Sequence, residues 1–176
     1  VVSKVWEDGP AAESGICEGD RVVSLGGVPV EDGEAYLLQS LQIDPGQTVE
    51  VGIARRGERE AVAVQSWDEM NGAFFEDIGM TVTERQLGAS RFLMVDRVRP
   101  GSPAAELGVE PRDIIPAVHP RTFPRSGAVR LGDKATLKLI LDRVPRGTEI
   151  EVDAYRDMNG DSSYERSELL KGVLVR

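Results

Sequence analysis

The sequence predicts a mainly β fold with short helices (α+β), arranged as two small domains. Short apolar runs bounded by Gly, Pro, Asn and Asp outnumber the helical patterns, as is typical of strands. In addition, the phrase Gly-Pro-Ala-Ala-Glu-Ser-Gly-Ile at residues 9–16 returns as Ser-Pro-Ala-Ala-Glu-Leu-Gly-Val at residues 102–109. Each copy is followed four residues later by an aspartate, Asp20 or Asp113, and an apolar run. The constant spacing of the two copies indicates one supersecondary unit used twice.

The repeat predicts the domain boundaries. A chain of 176 residues is long enough for two domains of about 65 to 100 residues each. We expect a first domain at residues 1–66 and a second at residues 77–176. Residues 67–76 show no clear periodicity and are predicted to be a linker.

In the first domain, Pro10 suits the first position of a short helix that Gly15 closes. Asp32 is a plausible N-cap for a longer helix over residues 34–42, whose leucines recur at helical spacing. Strands are predicted at residues 1–5, 21–25, 28–30, 48–54 and 61–64.

The second domain runs through the same order. Short and longer helices are predicted at residues 103–106 and 133–143. Strands are predicted at residues 78–82, 92–98 and 113–118, and residues 148–156 should pair with residues 165–175. About eight extra residues separate the two helices in this copy, and the crowded prolines Pro116, Pro120 and Pro124 predict an ordered loop there.

Charge and hydropathy exclude several classes of partner. The formal net charge of −9 argues against binding to nucleic acid or to anionic lipid. No apolar run approaches the roughly 20 residues that span a bilayer, so membrane insertion is not expected. The chain opens abruptly on apolar Val1 and Val2, which favours a fragment whose lack of a leader says nothing about location.

Catalytic signals are weak. A nucleophilic hydrolase needs a base near its Ser or Cys, and the one histidine, His119, lies in the proline-rich stretch. Neither Gly-x-Ser-x-Gly nor His-Glu-x-x-His occurs. We therefore expect His119 to be an exposed loop residue and this chain, taken alone, not to be an enzyme.

One acidic segment resembles a metal site. Residues 157–168 carry oxygen side chains at positions 1, 3, 5, 9 and 12 of a calcium loop. However, Ser162 stands where such a loop needs Gly, and Asn159-Gly160 favours a hairpin turn. A solvated hairpin tip is favoured over a weak calcium site, and no metal or cofactor is predicted. The single Cys17 excludes an internal disulfide and a zinc site built from cysteines.

The repeated phrase, the Asp-led apolar strand, the longer helix and the final hairpin together resemble the PDZ domain. The similarity is to the bacterial variety found in HtrA/Deg-type serine proteases, site-2 metalloproteases and tail-specific proteases. It covers nearly the whole chain apart from the linker and the insertion. It implies that each domain is a small, partly open β-barrel capped by one short and one longer helix. Trp67, Phe74 and Phe75 would then pack between the domains or over an open barrel edge, in preference to forming a partner surface.

The resemblance also implies a binding site. PDZ domains add an extended peptide, usually a free C-terminus, beside one strand, with its carboxylate on the N–H groups of a preceding loop. In this sequence the matching loop and strand are Ile78, Gly79, Met80, Thr81 and Val82. The longer helix would present Lys134, Lys138 and Leu141 to the groove and would turn Leu137 and Ile140 to the core. Two groove lysines would favour an acidic residue upstream of the peptide terminus.

The first domain departs from the pattern. It begins at the strand just before Gly9-Pro10, so its own carboxylate loop and docking strand are expected to be absent. Glu34, Leu38 and Leu41 become groove candidates only if another segment supplies that strand.

The predicted function is a tandem peptide-binding module, the regulatory or substrate-recruiting region of a larger bacterial envelope protease. Its partners would be peptide or protein C-termini and a protease domain of the same polypeptide, and its location the periplasm or cell envelope. The alternative is a structural or oligomerisation pair with closed grooves. A calcium-tuned adhesion or scaffold module ranks last, because it depends wholly on the acidic hairpin.

Overall fold

The computed structural model describes residues 1–120, 127–157, 164 and 169–176. The chain forms two compact units, residues 1–69 and residues 70–176. Within the described residues, the helices are all too short or too polar to cross a membrane.

The first unit is a four-stranded antiparallel sheet with two helices. Its helices are α1 (Pro10–Glu13) and α2 (Gly33–Ser40). Its strands are β1 (Arg21–Leu25), β2 (Val28–Pro29), β3 (Thr48–Arg55) and β4 (Glu58–Gln65), in the spatial order β2-β1-β3-β4. Pro10 starts α1, and the Asp32 carboxylate caps α2 by accepting from the Ala35 N–H at 2.8 Å. A small core forms under the sheet from Ile16, Leu25, Val30, Val51, Ile53 and Val64.

The first five residues differ from the sequence prediction. They form no strand, but Val2 is tied to the loop before β1 by two backbone bonds. Its N–H donates to the Asp20 carbonyl at 2.8 Å, and its carbonyl accepts from Gly19 at 2.9 Å. The predicted strand is therefore reduced to two backbone bonds at Val2.

The second unit is a larger antiparallel sheet with three helices. The helices are α3 (Glu69–Asp77), α4 (Pro103–Leu107) and α5 (Lys134–Arg143). The strands are β5 (Met80–Leu87), β6 (Ser90–Val98), β7 (Ile114–Pro120), β8 (Val129–Arg130), β9 (Glu149–Tyr155) and β10 (Leu169–Val175). Their order is β10-β9-β7-β6-β5, and β8 pairs with β7.

Aspartate and serine caps fix the two helices that the sequence predicted in this unit. The Ser102 hydroxyl accepts from the Ala105 N–H and starts α4, while Asp133 accepts from the Thr136 N–H at 2.7 Å and starts α5. The Thr136 N–H also lowers the pKa of the Asp133 carboxyl. The core between α5 and the sheet includes Leu137, Ile140 and Leu141.

The segment at residues 67–76 is not a bare linker in the structure. Most of it belongs to α3, and Phe74 and Phe75 of that helix are fully buried in the second unit. Periodicity is hard to see there because the helix is short and buries two adjacent aromatic residues. The boundary between the two units, after Glu69, lies inside the predicted linker, and the second unit begins earlier than predicted.

His119 was expected in a loop, and this prediction was wrong. It lies in β7, which continues through the predicted loop as far as Pro120, and its Nε2 is 2.9 Å from Asp153 Oδ2 on β9. Pro116 is tolerated because the strand pairing is interrupted between Ile114 and Ala117, and Pro120 is the last residue of β7. Most of the acidic segment at residues 157–168, with its possible calcium loop, lies outside the described residues.

The predicted fold class is confirmed. Both units are mainly β with short helices, and both sheets are antiparallel. The sheets are open and do not close into barrels. The final hairpin also pairs as predicted, with Leu169 opposite Tyr155 and Val175 opposite Glu149.

Candidate peptide-docking edge

The predicted loop begins where α3 turns sharply into β5. Gly79 makes this turn with φ +79°, a conformation that favours glycine. It also packs against Ser102: a Cβ added at Gly79 would lie 2.1 Å from the Ser102 Cβ and 2.2 Å from its Oγ. Glycine is therefore required at this position by both conformation and space.

The backbone N–H and carbonyl groups of this turn already form hydrogen bonds within the protein. The N–H groups of Ile78 and Gly79 both donate to the Phe74 carbonyl, at 2.9 and 3.0 Å, and so end α3. Their carbonyls accept from Ala104 and Arg99, at 3.0 and 2.7 Å. These two residues therefore do not form the ready carboxylate nest that the sequence predicted.

β5 is an end strand of the sheet that the described residues form, since β6 pairs with one side of it. Val82 donates its N–H at 2.8 Å to Oδ1 of Asn71 in α3, so this N–H points away from β6. Strand residues alternate in direction, so Met80 and Glu84 share this outer edge with Val82. The outer edge is where a guest strand could pair.

The side chains at the start of β5 are buried. Ile78, Met80 and Val82 belong to the core cluster of this unit, and Thr81 is buried as well. These residues were predicted to line the docking groove, and the structure shows their side chains covered.

Helix α5 faces β5 as predicted, with one difference. Leu137 and Ile140 are in the core as expected, but Leu141 is buried with them. Lys138 is partly exposed and pairs with Asp142, at 2.6 Å, one turn along the helix. At the N-terminal end of α5, the backbone N–H of Lys134 donates to the Glu84 carboxylate of β5 at 2.9 Å.

Both units contain the same arginine–aspartate contact, called the clasp here, in which the carboxylate is buried and the arginine is partly exposed. In the first unit, Arg55 binds the Asp20 carboxylate through two nitrogens at 2.7 Å and donates to the Gly15 carbonyl. In the second, Arg156 binds Asp113 at 2.9 and 2.8 Å and donates to the Gly108 carbonyl.

Electrostatics of the clasp follow from these contacts. The Arg55 side chain and then the Cys17 N–H lower the pKa of the Asp20 carboxyl from 3.8 to about 2. Asp113 raises the pKa of the Arg156 guanidinium. No special role was predicted for Asp20 or Asp113, although their position after the repeated phrase could have marked them.

Comparison with known proteins agrees with this geometry. Residues 1–65 match the family model described as PDZ domain. This part of the chain is therefore similar to a PDZ domain, and the chain resembles the PDZ regions of HtrA/Deg-type serine endoproteases.

Three relatives illustrate this similarity. A probable periplasmic serine endoprotease DegP-like of Bartonella henselae is 29% identical over 155 residues, covering 73% of this chain and 30% of the relative. The periplasmic pH-dependent serine endoprotease DegQ of Escherichia coli is 28% identical, covering 84% and 34%. The periplasmic serine endoprotease DegP of Salmonella typhimurium is 27% identical, covering 92% and 32%. The chain thus spans about a third of the length of the curated relatives it matches.

The first unit, whose residues 1–65 match the PDZ family model, presents an exposed apolar helix. Every residue of α2 is at least partly open to solvent, and Leu37, Leu38 and Leu41 are 58%, 60% and 71% exposed. The sequence predicted that Glu34, Leu38 and Leu41 would line a groove in this unit only if another segment supplied its docking strand. All three are exposed, as a groove would require.

Proposed function

We propose that this chain is a protein-interaction region of an HtrA-type serine protease, and that both of its units are PDZ domains. The second unit would bind an extended peptide or protein C-terminus as an added strand on the outer edge of β5. The observation that carries this proposal is the position of β5, an end strand of the described sheet with α5 beside it. The relatives' names support a serine endoprotease elsewhere in the same polypeptide and a periplasmic location.

Structural equivalence of the two units supports a tandem pair. Asp20 and Asp113 lie 93 positions apart, as do the carbonyls of Gly15 and Gly108 that complete each clasp. From the helix caps onward the spacing becomes 101, between Asp32 and Asp133 and again between Arg55 and Arg156. Eight inserted residues between the helices account for the change. The alignment with the Salmonella relative also covers 92% of the chain and so reaches well into the second unit.

The proposed site favours an extended guest with an apolar end. A guest strand would exchange backbone hydrogen bonds with alternate residues of β5, so its own side chains would alternate between α5 and solvent. The part of β5 beyond Thr83 is exposed and gives such a strand room to extend. Lys138 lies one turn from the buried Leu141 and would attract an acidic residue upstream of the guest's end.

A titration of the full chain with a library of peptides bearing free C-termini tests this proposal. We expect micromolar binding that weakens when the peptide terminus is amidated. Peptides N-methylated at alternate backbone positions make the test specific for strand addition. Methylation in one register should abolish binding and in the other should be tolerated, because only alternate N–H groups face β5.

The second candidate function is a structural or oligomerisation pair with closed grooves. Two contacts favour it: Asn71 occupies the Val82 N–H, and Glu84 bridges β5 to the start of α5. Under this alternative the full chain would bind none of the peptides, and neither N-methylated series would bind.

A further inference from the structure

The contact between Asn71 and Val82 places a side-chain carbonyl where a guest strand would place a backbone carbonyl. Asn71 lies in the first turn of α3, is 9% exposed, and accepts the Val82 N–H through Oδ1 at 2.8 Å. The Asn71 side chain therefore accepts the Val82 N–H at the position where the backbone carbonyl of a paired strand would accept it.

We propose that the first turn of α3 is a latch on the docking edge of β5, and that it must open before a peptide can bind. This proposal rests on the proposed function of the second unit. Opening exchanges one hydrogen bond of the Val82 N–H for another, so the guest and Asn71 compete for the same donor. Peptide affinity is then set partly by the stability of this single helical turn.

The rest of α3 is anchored and stays in place. Phe74 and Phe75 are fully buried, and Arg99 lies over the Phe75 ring at 5.5 Å. At the C-terminal end of α3, Asp77 pairs with Arg176 at 2.6 Å and with Arg146 at 3.6 Å. Movement is therefore confined to the turn that precedes these anchors.

Gly72 lies between the latch and the anchors. It is inside the helix, where glycine weakens helical structure relative to alanine. Outside the helix's own backbone, no described heavy atom lies within 4 Å of a Cβ built at this position, so alanine fits without a clash. Gly72 is thus the point at which the first turn can separate from the anchored part of α3.

Two substitutions with opposite effects test the latch. Gly72→Ala stiffens the helix and should weaken peptide binding about fivefold while raising the thermal midpoint, since roughly 1 kcal/mol corresponds to that ratio. Asn71→Ala removes the competing acceptor and should tighten binding roughly two- to tenfold while lowering the thermal midpoint. Glu76→Gln is the matched control, because Glu76 is an exposed residue of the same helix, and it should leave affinity unchanged.

The probe is the same free-terminus peptide library, titrated against the full chain and each variant. Amide exchange of Val82 is followed by NMR with and without peptide. If peptide binds the parent chain and all variants equally, or if Gly72→Ala raises stability without lowering affinity, the latch is refuted while peptide capture stands. If neither the parent chain nor Asn71→Ala binds any peptide, both the latch and the capture proposal fail.

Should Asn71→Ala prove too unstable to titrate, Asp77→Asn provides a second route. It loosens the pairing with Arg176 at the far end of α3 and leaves the Val82 N–H bonded. If the latch alone limits access, this variant should bind peptide no more than twofold differently from the parent chain. A larger gain would show that the whole helix moves and would overturn the single-turn mechanism.

Discussion

Replacing Gly79 by alanine should destabilise the second unit strongly. A non-glycine residue at φ +79° costs roughly 1–2 kcal/mol. The added methyl would also stand 2.1 Å from the Ser102 Cβ, and forcing a group into a packed site costs about 1–3 kcal/mol. The free energy of unfolding should therefore fall by about 2–5 kcal/mol in total.

Two further variants separate the conformational effect from the clash. Gly88→Ala has a similar φ of +58°, and no described atom lies within 4 Å of the new Cβ, so only the conformational part should appear. In the double variant Gly79→Ala with Ser102→Gly, the clashing atoms are gone and glycine is still an acceptable N-cap. Most of the loss due to the clash should be recovered.

Urea unfolding of the full chain measures these differences. Trp6 and Trp67 both belong to the first unit, so tryptophan fluorescence reports mainly on that unit, whereas circular dichroism reports both. The expected loss should appear in circular dichroism with fluorescence unchanged. Equal destabilisation by Gly79→Ala and Gly88→Ala would refute the claim that Ser102 crowds this turn.

Two further predictions concern the clasps. The pKa of the Asp20 carboxyl is lower in the folded state, so the clasp of the first unit contributes stability above pH 3.8 and loses it as the pH falls towards 2. Over this range, the unfolding free energy of the parent chain, followed by fluorescence, should decline more steeply than that of Asp20→Asn. Parallel curves for the two proteins would contradict the role of Asp20. Arg156→Leu should destabilise the second unit by about 2–3 kcal/mol, because the buried Asp113 carboxylate loses its ion-pair partner. The loss is moderate because the Arg156 guanidinium is already partly exposed to water. Arg85→Leu, on an exposed strand position, should change circular-dichroism-detected stability by less than about 0.5 kcal/mol, and a similar loss in both variants would argue against a specific role for the clasp.

Much of the fold could be predicted because the local signals for helix starts and turns give the same elements in both copies of the repeat. Asp32 and Asp133 cap the helices that the sequence assigned to them, and the final hairpin pairs in the expected region. The residues after Val82 were missed as strand. Residues 84–86 are polar and exposed, so this part of the strand lacks the apolar alternation that reveals a half-buried strand.

The candidate site was harder to predict than the fold. The sequence could place Gly79 at a special turn, since glycine is suited to positive φ. It could not show that Asn71 reaches Val82, because that bond joins residues eleven positions apart across a turn with no local signature. Nor could it assign Leu141 to the core, because a helix face is fixed by what packs against it and Leu141 lies beside Ile140 and Leu137.

Each clasp joins residues of one unit only: Asp20 to Arg55, 35 positions apart, and Asp113 to Arg156, 43 positions apart. The first of these contacts therefore needs no residue of the second unit in order to form. The clasp of the first unit can thus stabilise that unit independently of the second unit. An amino-acid change in one clasp leaves the ion pair of the other clasp intact.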